Sequence, residues 1–267
     1  EITKNCLKSA FEQTTGIEFE VIVSDNGSKD GSIEMIRADF PQVILIENNA
    51  NLGFGTANNR ALAVAKGKYI FYLNSDTLLL NNAVKIFFDY WENAPEKETL
   101  GALGANLLDT DGHIIHSHGA FPQIDSVVED TARALYGTYK FTLSNATNQK
   151  THSLYAQNHF SEKKLGDVDY ITGADLFLKN DEYAHFDERY FMYCEEMDVQ
   201  YRLMQHEKKR LLIDGPEIIH LDGASSKKGK PDAVRLFATL SSIYNNLSRI
   251  YFFRKHGATR FKIFILK

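Results

Sequence analysis

Five places in this 267-residue chain carry side chains that can do chemistry together. Asp25-Asn26-Gly27-Ser28 follows the apolar run Glu20 to Ser24. Asn48 to Gly55, N-N-A-N-L-G-F-G, follows Val43 to Glu47, and Asn74-Ser75-Asp76-Thr77 follows Tyr69 to Leu73. Each run has the length and composition of a buried strand and stops abruptly in polar groups. In open α/β sheets, ligands bind at the carboxyl ends of the strands. The three clusters offer acceptors for a base and a ribose, glycines for close backbone approach, and a carboxylate for a cation. That set suits a nucleotide whose phosphates are bridged to Mg²⁺ or Mn²⁺, which take oxygen ligands. The same residue types also make ordinary capped turns, and that alternative stands beside the first. The fourth place is Glu195-Glu196, where a helical pattern starts. Acids there favour the helix dipole, and a carboxylate projecting from a helix start into a cleft is well placed to take a proton. The fifth is His220, at the end of a short apolar run, which suits either a metal or a backbone carbonyl.

The elements that must position these groups follow from hydrophobic period. Ile2 to Phe11, Ser32 to Phe40 and Thr56 to Ala65 have helical spacing, so residues 1 to 80 read α-β-α-β-loop-α-β. That order argues a parallel, doubly wound sheet. Such a sheet normally begins on a strand, so a leading strand is expected to be missing here. Ala83 to Ala94 is an amphipathic helix. Strands are expected at Leu100 to Leu108 and His113 to His118, and at Val168 to Thr172 and Ala174 to Lys179 on either side of Gly173. A helix is expected near Ser126 to Tyr136. Glu195 to His206 is a helix with Met197, Tyr201 and Met204 facing the core. Its neighbouring face carries Glu195, Asp198 and Arg202, with Asp198 and Arg202 as a favourable i,i+4 pair. Arg210 to Ile213 and Glu217 to Leu221 are further strands. Pro231 to His256 is a long amphipathic helix whose expected buried stripe is Leu236, Leu240, Ile243, Tyr244, Leu247 and Ile250.

Composition removes several classes of function. A net charge of −5 gives no support for a nucleic-acid partner. Cys6 and Cys194 are too few for a disulfide scaffold or a zinc site, and read as two reduced thiols of a cytoplasmic protein. No run reaches the roughly 18 apolar residues of a membrane span, and no signal peptide is visible.

The ordered motifs resemble a known family. E-V-I-V-S-D-N-G-S-K-D-G-S, N-N-A-N-L-G-F-G-T-A-N-N and F-Y-L-N-S-D-T look like the donor half of the inverting GT-A glycosyltransferases of family 2, the large family that includes rhamnosyltransferases. I-T-G-A-D-L-F-L-K, F-D-E-R-Y-F-M-Y-C-E-E-M-D-V-Q-Y-R and I-I-H-L-D-G-A-S-S resemble its acceptor half, in the right order. The resemblance implies a GT-A fold with a mostly parallel central sheet and helices on both faces. It divides the chain into a donor-binding half (1–112), an acceptor-binding half (113–230) and a C-terminal helix and tail (231–267). It implies base recognition by Asp25 and donor contacts from Asn26, Asn51, Gly53, Asn59, Asn74 and Asp76. Asn74-Ser75-Asp76 is similar to the family's D-x-D motif with its first aspartate replaced, a form that looks like the rhamnosyltransferase subgroup. Asp76 and His220 then hold the divalent cation. Glu195-Glu196 resembles an acid pair whose second member, Glu196, is the general base, and Gly173 and Asp198 lie on the acceptor side.

The implied activity is transfer of a sugar, with inversion, from a nucleotide-sugar such as dTDP-rhamnose to a glycan or lipid-linked glycan, in bacterial cell-surface polysaccharide synthesis. Arg249, Lys255 and Phe252-Phe253 form a basic, aromatic tail suited to peripheral contact with the inner face of a membrane. A sugar nucleotidyltransferase and a non-catalytic glycan-binding relative are the alternatives. The first would carry a Gly-rich, basic phosphate loop near its first strand, which this chain lacks.

Overall fold

The structure, a computed structural model, describes residues 1–123, 162–221 and 240–257. The expected helix near 126–136, the start of the long C-terminal helix and residues 258–267 lie outside them. In the first part the order is α1 (Ile2–Gln13), β1 (Ile22–Asp25), α2 (Ser32–Asp39), β2 (Ile44–Glu47), α3 (Phe54–Leu62), β3 (Tyr69–Leu73), β4 (Thr77–Leu79), α4 (Ala83–Asn93) and β5 (Leu100–Gly104). After β6 (His118–Gly119) come β7 (Gly166–Asp167), β8 (Tyr170–Ile171), β9 (Asp175–Lys179), α5 (Glu195–Gln205), β10 (Lys209–Leu212), β11 (Ile218–His220) and α6 (Leu240–Lys255).

The main sheet has the order β3-β9-β5-β10-β7. It is mixed rather than mostly parallel, because β9 enters between β3 and β5 and runs antiparallel to both. β5 and β10 are parallel. β5 and most of β9 are buried, as a strand covered on both faces must be. On one face Phe87 and Trp91 of α4 pack with Phe177, Leu103 and Leu107. On the other, Val199 and Leu203 of α5 pack with Tyr72, Leu176, Leu178 and Phe186. Residues 1–112 and 113–221 therefore both contribute strands to one sheet and side chains to the clusters on its two faces.

Three expectations need correction. The first three polar clusters do not follow strands of one sheet. β1 and β2 form their own parallel ladder, and among the described residues no backbone pairing joins it to β3. No strand among the described residues precedes α1. Second, the stretch after Asp76 is a strand: β4 pairs antiparallel with β11. Third, the expected stripe of α6 is split: Leu240, Ile243 and Leu247 are exposed by 71%, 40% and 58%, while Tyr244 and Ile250 turn inward, Ile250 packing beside Phe252 and Phe253. The inward face is mainly aromatic and polar. Tyr244 packs on Phe191, Ser248 donates to the Met192 carbonyl, and Phe252 is buried beside Tyr201. The partner surface decides which face is buried, and here it is rich in aromatic rings and backbone carbonyls.

Candidate active site

The β4–β11 ladder sets the first part of the site. Its register puts His220 opposite Thr77, one residue after Asp76, and the Leu221 amide donates to the Asp76 carbonyl. The side chains consequently meet, His220 Nε2 lying 3.3 Å from Asp76 Oδ1, both mostly buried. The hydrogen bond from His220 outweighs burial and holds the Asp76 carboxyl below its usual range. The turn is braced from behind. Thr77 Oγ1 donates to the Asn74 carbonyl, and Cys6 of α1 lies against both groups. A carboxylate and an imidazole this close are a suitable donor set for Mn²⁺ once Nε2 carries no proton, and for Mg²⁺ through the carboxylate. Among the described residues, the one group of three or more candidate ligands close enough to share an ion is Asp109, Asp111 and His113. It lies on a turn whose amides already bond the Asp109 carboxylate.

The donor-side loops converge through their amides. Asp25 is buried and accepts from the amides of Gly27 and Ser28 at 2.8 and 2.9 Å. Asn26 donates to the Gly53 carbonyl and accepts from Asn48, which fastens the end of β1 to the loop before α3. Asn51 accepts from the Gly53 amide. Gly53 has φ +85°, and a Cβ there would lie 2.1 Å from the Phe191 carbonyl oxygen. Only glycine lets these two loops approach so closely. Asn59 is buried, and both ends of its amide are bonded to the Phe186 backbone, with a further bond to Glu188. It ties α3 to the loop before α5 and has no free edge toward a donor.

The acid pair is aimed by strained backbone. Tyr193 and Cys194 both have left-handed φ, +71° and +66°, a conformation that costs non-glycine residues about 1–3 kcal/mol each. Cys194 caps α5, so Glu195 and Glu196 open that helix. Glu195 is buried near Gly55, and its Oε2 has no partner. Burial, and then the charge of Glu196, push its carboxyl well up. Glu196 is half-buried beside Gly173 and also raised by burial. A Cβ on Gly173 would stand 3.5 Å from the Glu196 Cβ and 3.6 Å from the Phe54 ring. The next residue, Ala174, accepts from the Asn74 amide at 3.1 Å. Gly173 thus connects Glu196 to the Asn74-Ser75-Asp76 turn.

Asp198 points elsewhere. It is fully buried, 2.7 Å from Lys255 and 2.9 Å from His256 of the C-terminal helix, with Tyr190 and Arg202 also in reach. Burial alone would raise its carboxyl, but the bonds from His256 and Lys255 hold it low. The structure brings it to the α5–α6 contact rather than to Gly173. Sequence reasoning missed Gln200. Its side-chain amide bonds both the N–H and the C=O of Ile171 at 2.7 Å, clamping α5 to β8 just before Gly173. A glutamine inside a helical pattern looks like a surface residue, and no local signal marks it.

Comparison with known proteins places the chain in a family. The family model of glycosyl transferase family 2 matches residues 1–165. N-acetylglucosaminyl-diphospho-decaprenol L-rhamnosyltransferase of Mycobacterium tuberculosis is 27% identical over 238 residues, covering 84% of this chain and 73% of the relative. Among solved structures, the mannosyltransferase PcManGT from Pyrobaculum calidifontis, in complex with GDP-Man and Mn²⁺, superposes with a TM-score of 0.55 at 15% identity, over 99% of this chain and 64% of that one. S. aureus TarS 1–349 does so with a TM-score of 0.51 at 14% identity, over 84% and 57%. The chain therefore spans less than two thirds of either solved neighbour. The fold is that of the GT-A glycosyltransferases. The chain belongs to glycosyl transferase family 2 and is a glycosyltransferase.

Proposed function

We propose that this protein transfers a sugar from a nucleotide-sugar to a glycan or lipid-linked glycan with inversion, in a metal-dependent reaction of cell-surface polysaccharide synthesis. The observation that carries this is the single edge on which the Asp76–His220 pair, the Asn74 turn, Gly173 and Glu196 follow one another. Asp25, Asn26, Asn51 and Gly53 shape the pocket for the nucleotide. Asp76 and His220 would hold a divalent cation. When bound, the ion offsets the negative charge of the departing diphosphate.

Glu196 supplies the remaining chemistry. Its raised pKa makes it a stronger base than an exposed glutamate. As the acceptor oxygen attacks the anomeric carbon, the bond to the nucleotide diphosphate breaks on the opposite side and Glu196 takes the hydroxyl proton. Burial and the neighbouring carboxyl both disfavour a charge on Glu195. Gly173 keeps the approach to Glu196 open for the acceptor. The finer reading is a dTDP-rhamnose donor, a lipid-linked acceptor and a cytoplasmic, membrane-peripheral location touched through the C-terminal tail. The name of the mycobacterial relative, the N-S-D turn and two free buried cysteines support it.

The test is a thermal-shift screen of nucleotide-sugars with and without Mn²⁺, since a ligand of the native state raises Tm. We expect one donor, a dTDP-sugar first, to raise Tm only when Mn²⁺ is present, and to be consumed when acceptor is added. No shift with any donor would sink the proposal.

A further inference from the structure

The closest partners of the buried Asp198 come from the far end of the chain. Lys255 closes α6 and His256 follows it. Lys255 Nζ and His256 Nε2 lie 2.7 and 2.9 Å from the Asp198 carboxylate. Tyr190 donates to the same carboxylate at 3.2 Å, and Arg202 stands 3.4 Å away. Lys255 also reaches Asp187 at 2.8 Å, so one ammonium joins a carboxylate ahead of α5 to one inside it. The His256 ring packs on Tyr201 and Phe252, with centroids 4.2 and 4.6 Å away. A buried carboxylate keeps its charge only with such partners, and removing one leaves it uncompensated. Lys255 and His256 thus hold Asp198 in one place.

That place matters because of where Asp198 sits on α5. Its amide donates to the carbonyl of the left-handed Cys194 at 2.8 Å, closing the first turn. Successive helical residues advance about 100° each. Asp198 therefore lies roughly 200° from Glu196, on the opposite side of that turn. Gln200 lies one turn beyond Glu196 on the same side. It donates to the Glu196 carbonyl at 3.1 Å and bonds Ile171 of β8. The start of α5 is gripped from both sides, by β8 on the side of Glu196 and by the end of α6 behind it. Strained backbone such as Tyr193-Cys194 persists only where its surroundings over-determine it. α6 contributes there too, since Tyr193 bonds Ser241 and Ser248 donates to the Met192 carbonyl. We propose that Lys255 and His256 are positioning residues for the catalytic base: through Asp198 they fix the first turn of α5 and keep Glu196 beside Gly173. That Glu196 is the base rests on the function proposed above; that these residues place it does not.

The experiment is an NMR titration of the whole chain labelled with ¹³C at the glutamate carboxyls, with Glu196→Gln assigning the Glu196 signal. It reads the position of Glu196 without any sugar. Lys255→Met removes a cation, and charge alone would raise the pKa of a nearby carboxyl. Release of Glu196 into water has the opposite sign, because it lowers the raised carboxyl toward the ordinary glutamate value of 4.5. We expect the fall, and we expect Lys255→Arg to restore the titration of the parent. His256→Phe keeps a ring against Tyr201 and Phe252 and loses the bond to Asp198. It should move Glu196 the same way at a smaller cost in Tm, so it serves where Lys255→Met folds poorly. A Glu196 titration that stays put or rises, whatever happens to Tm, would overturn the proposal and make the cluster a structural contact only. In transfer, Lys255→Met should lose up to about 10²-fold in kcat, and nothing further in a Glu196→Gln background. The same loss in that background would overturn it too. If Glu196→Gln transfers normally while the titration still falls in Lys255→Met, the function proposed above loses its base and the positioning stands. A dead Glu196→Gln with an unmoved titration gives the reverse.

Discussion

Asp76 and Glu196 are both carboxylates at one sheet edge, and their surroundings push them in opposite directions. Asp76 lies against His220 and is held ionised below the usual range. Glu196 is surrounded by Phe54, Gly173 and a second, buried glutamate, and its carboxyl is raised. One environment favours the charged carboxylate; the other favours the protonated one. Their supports differ too. Asp76 and His220 are aligned by three rungs of a regular ladder. Glu196 is aligned by two left-handed residues and by Gln200, contacts with no local pattern. Under the function proposed above, a carboxylate kept charged suits an ion and a raised one suits a proton acceptor.

The largest expected effect comes from erasing that contrast at the base. Glu196→Gln keeps the shape and loses the proton acceptor, so it should bind donor normally and transfer about 10² to 10⁴ times more slowly. The acid limb of the parent should lie above the ordinary glutamate value of 4.5, because activity is lost as pH falls through a raised pKa. In the glutamine variant the residual rate should be flat across that window. A pH–rate profile of both proteins checks this. If Glu195→Gln is the dead variant and Glu196→Gln transfers normally, the two acids exchange roles. If both transfer normally, the pair is only a helix start.

A smaller effect is expected at the other carboxylate. Asp76→Ala should lose the Mn²⁺-dependent part of donor binding. The loss should be at least the roughly 10- to 100-fold that follows when even the outer partners of a metal site are removed. His220→Ala should give a similar loss, and the double variant little more, since both act through one ion. Calorimetric titration of donor with and without Mn²⁺ reads all three. Unchanged Mn²⁺ dependence in Asp76→Ala would take Asp76 out of the site and leave the base alone to define it.

The contrast also separates what could be read in the sequence from what could not. β3 was legible to the residue, because Tyr69 to Leu73 is an apolar run cut off by Asn74. The start of α5 was legible from Glu195-Glu196 and the period behind it. β4 was not. Thr77–Leu79 is three residues long and is a strand only because Ile218–His220 returns to pair with it. Nor could the direction of β9 be read, since an apolar run does not say which neighbour it will join. The outward line of α6 was misread because amphipathicity shows that one face differs from the other without saying what covers it. Asp198 and Asn59 were placed by motif near the ligands, whereas their burial and bonding tie neighbouring segments together. Long-range pairing and the chemistry of the partner surface were the missing information in each case.

The smallest effect we expect is at Gly173, which joins the two carboxylate regions. Its φ is not positive, and a Cβ there would meet Glu196 and Phe54 only at 3.5 and 3.6 Å, ordinary contact distances. Gly173→Ala should therefore fold with a Tm close to that of the parent. The added methyl would still stand in the approach to Glu196. The acceptor KM should rise by about tenfold, the low end of what one misfitted methylene is worth. Donor binding and the acid limb should not move. Gly173→Leu extends the series and should close the approach, removing transfer while leaving Mn²⁺-dependent donor binding in place. If the acceptor KM is the same for glycine, alanine and leucine, the acceptor does not enter beside residue 173. Glu196 would then have to meet its hydroxyl from the Phe54 side.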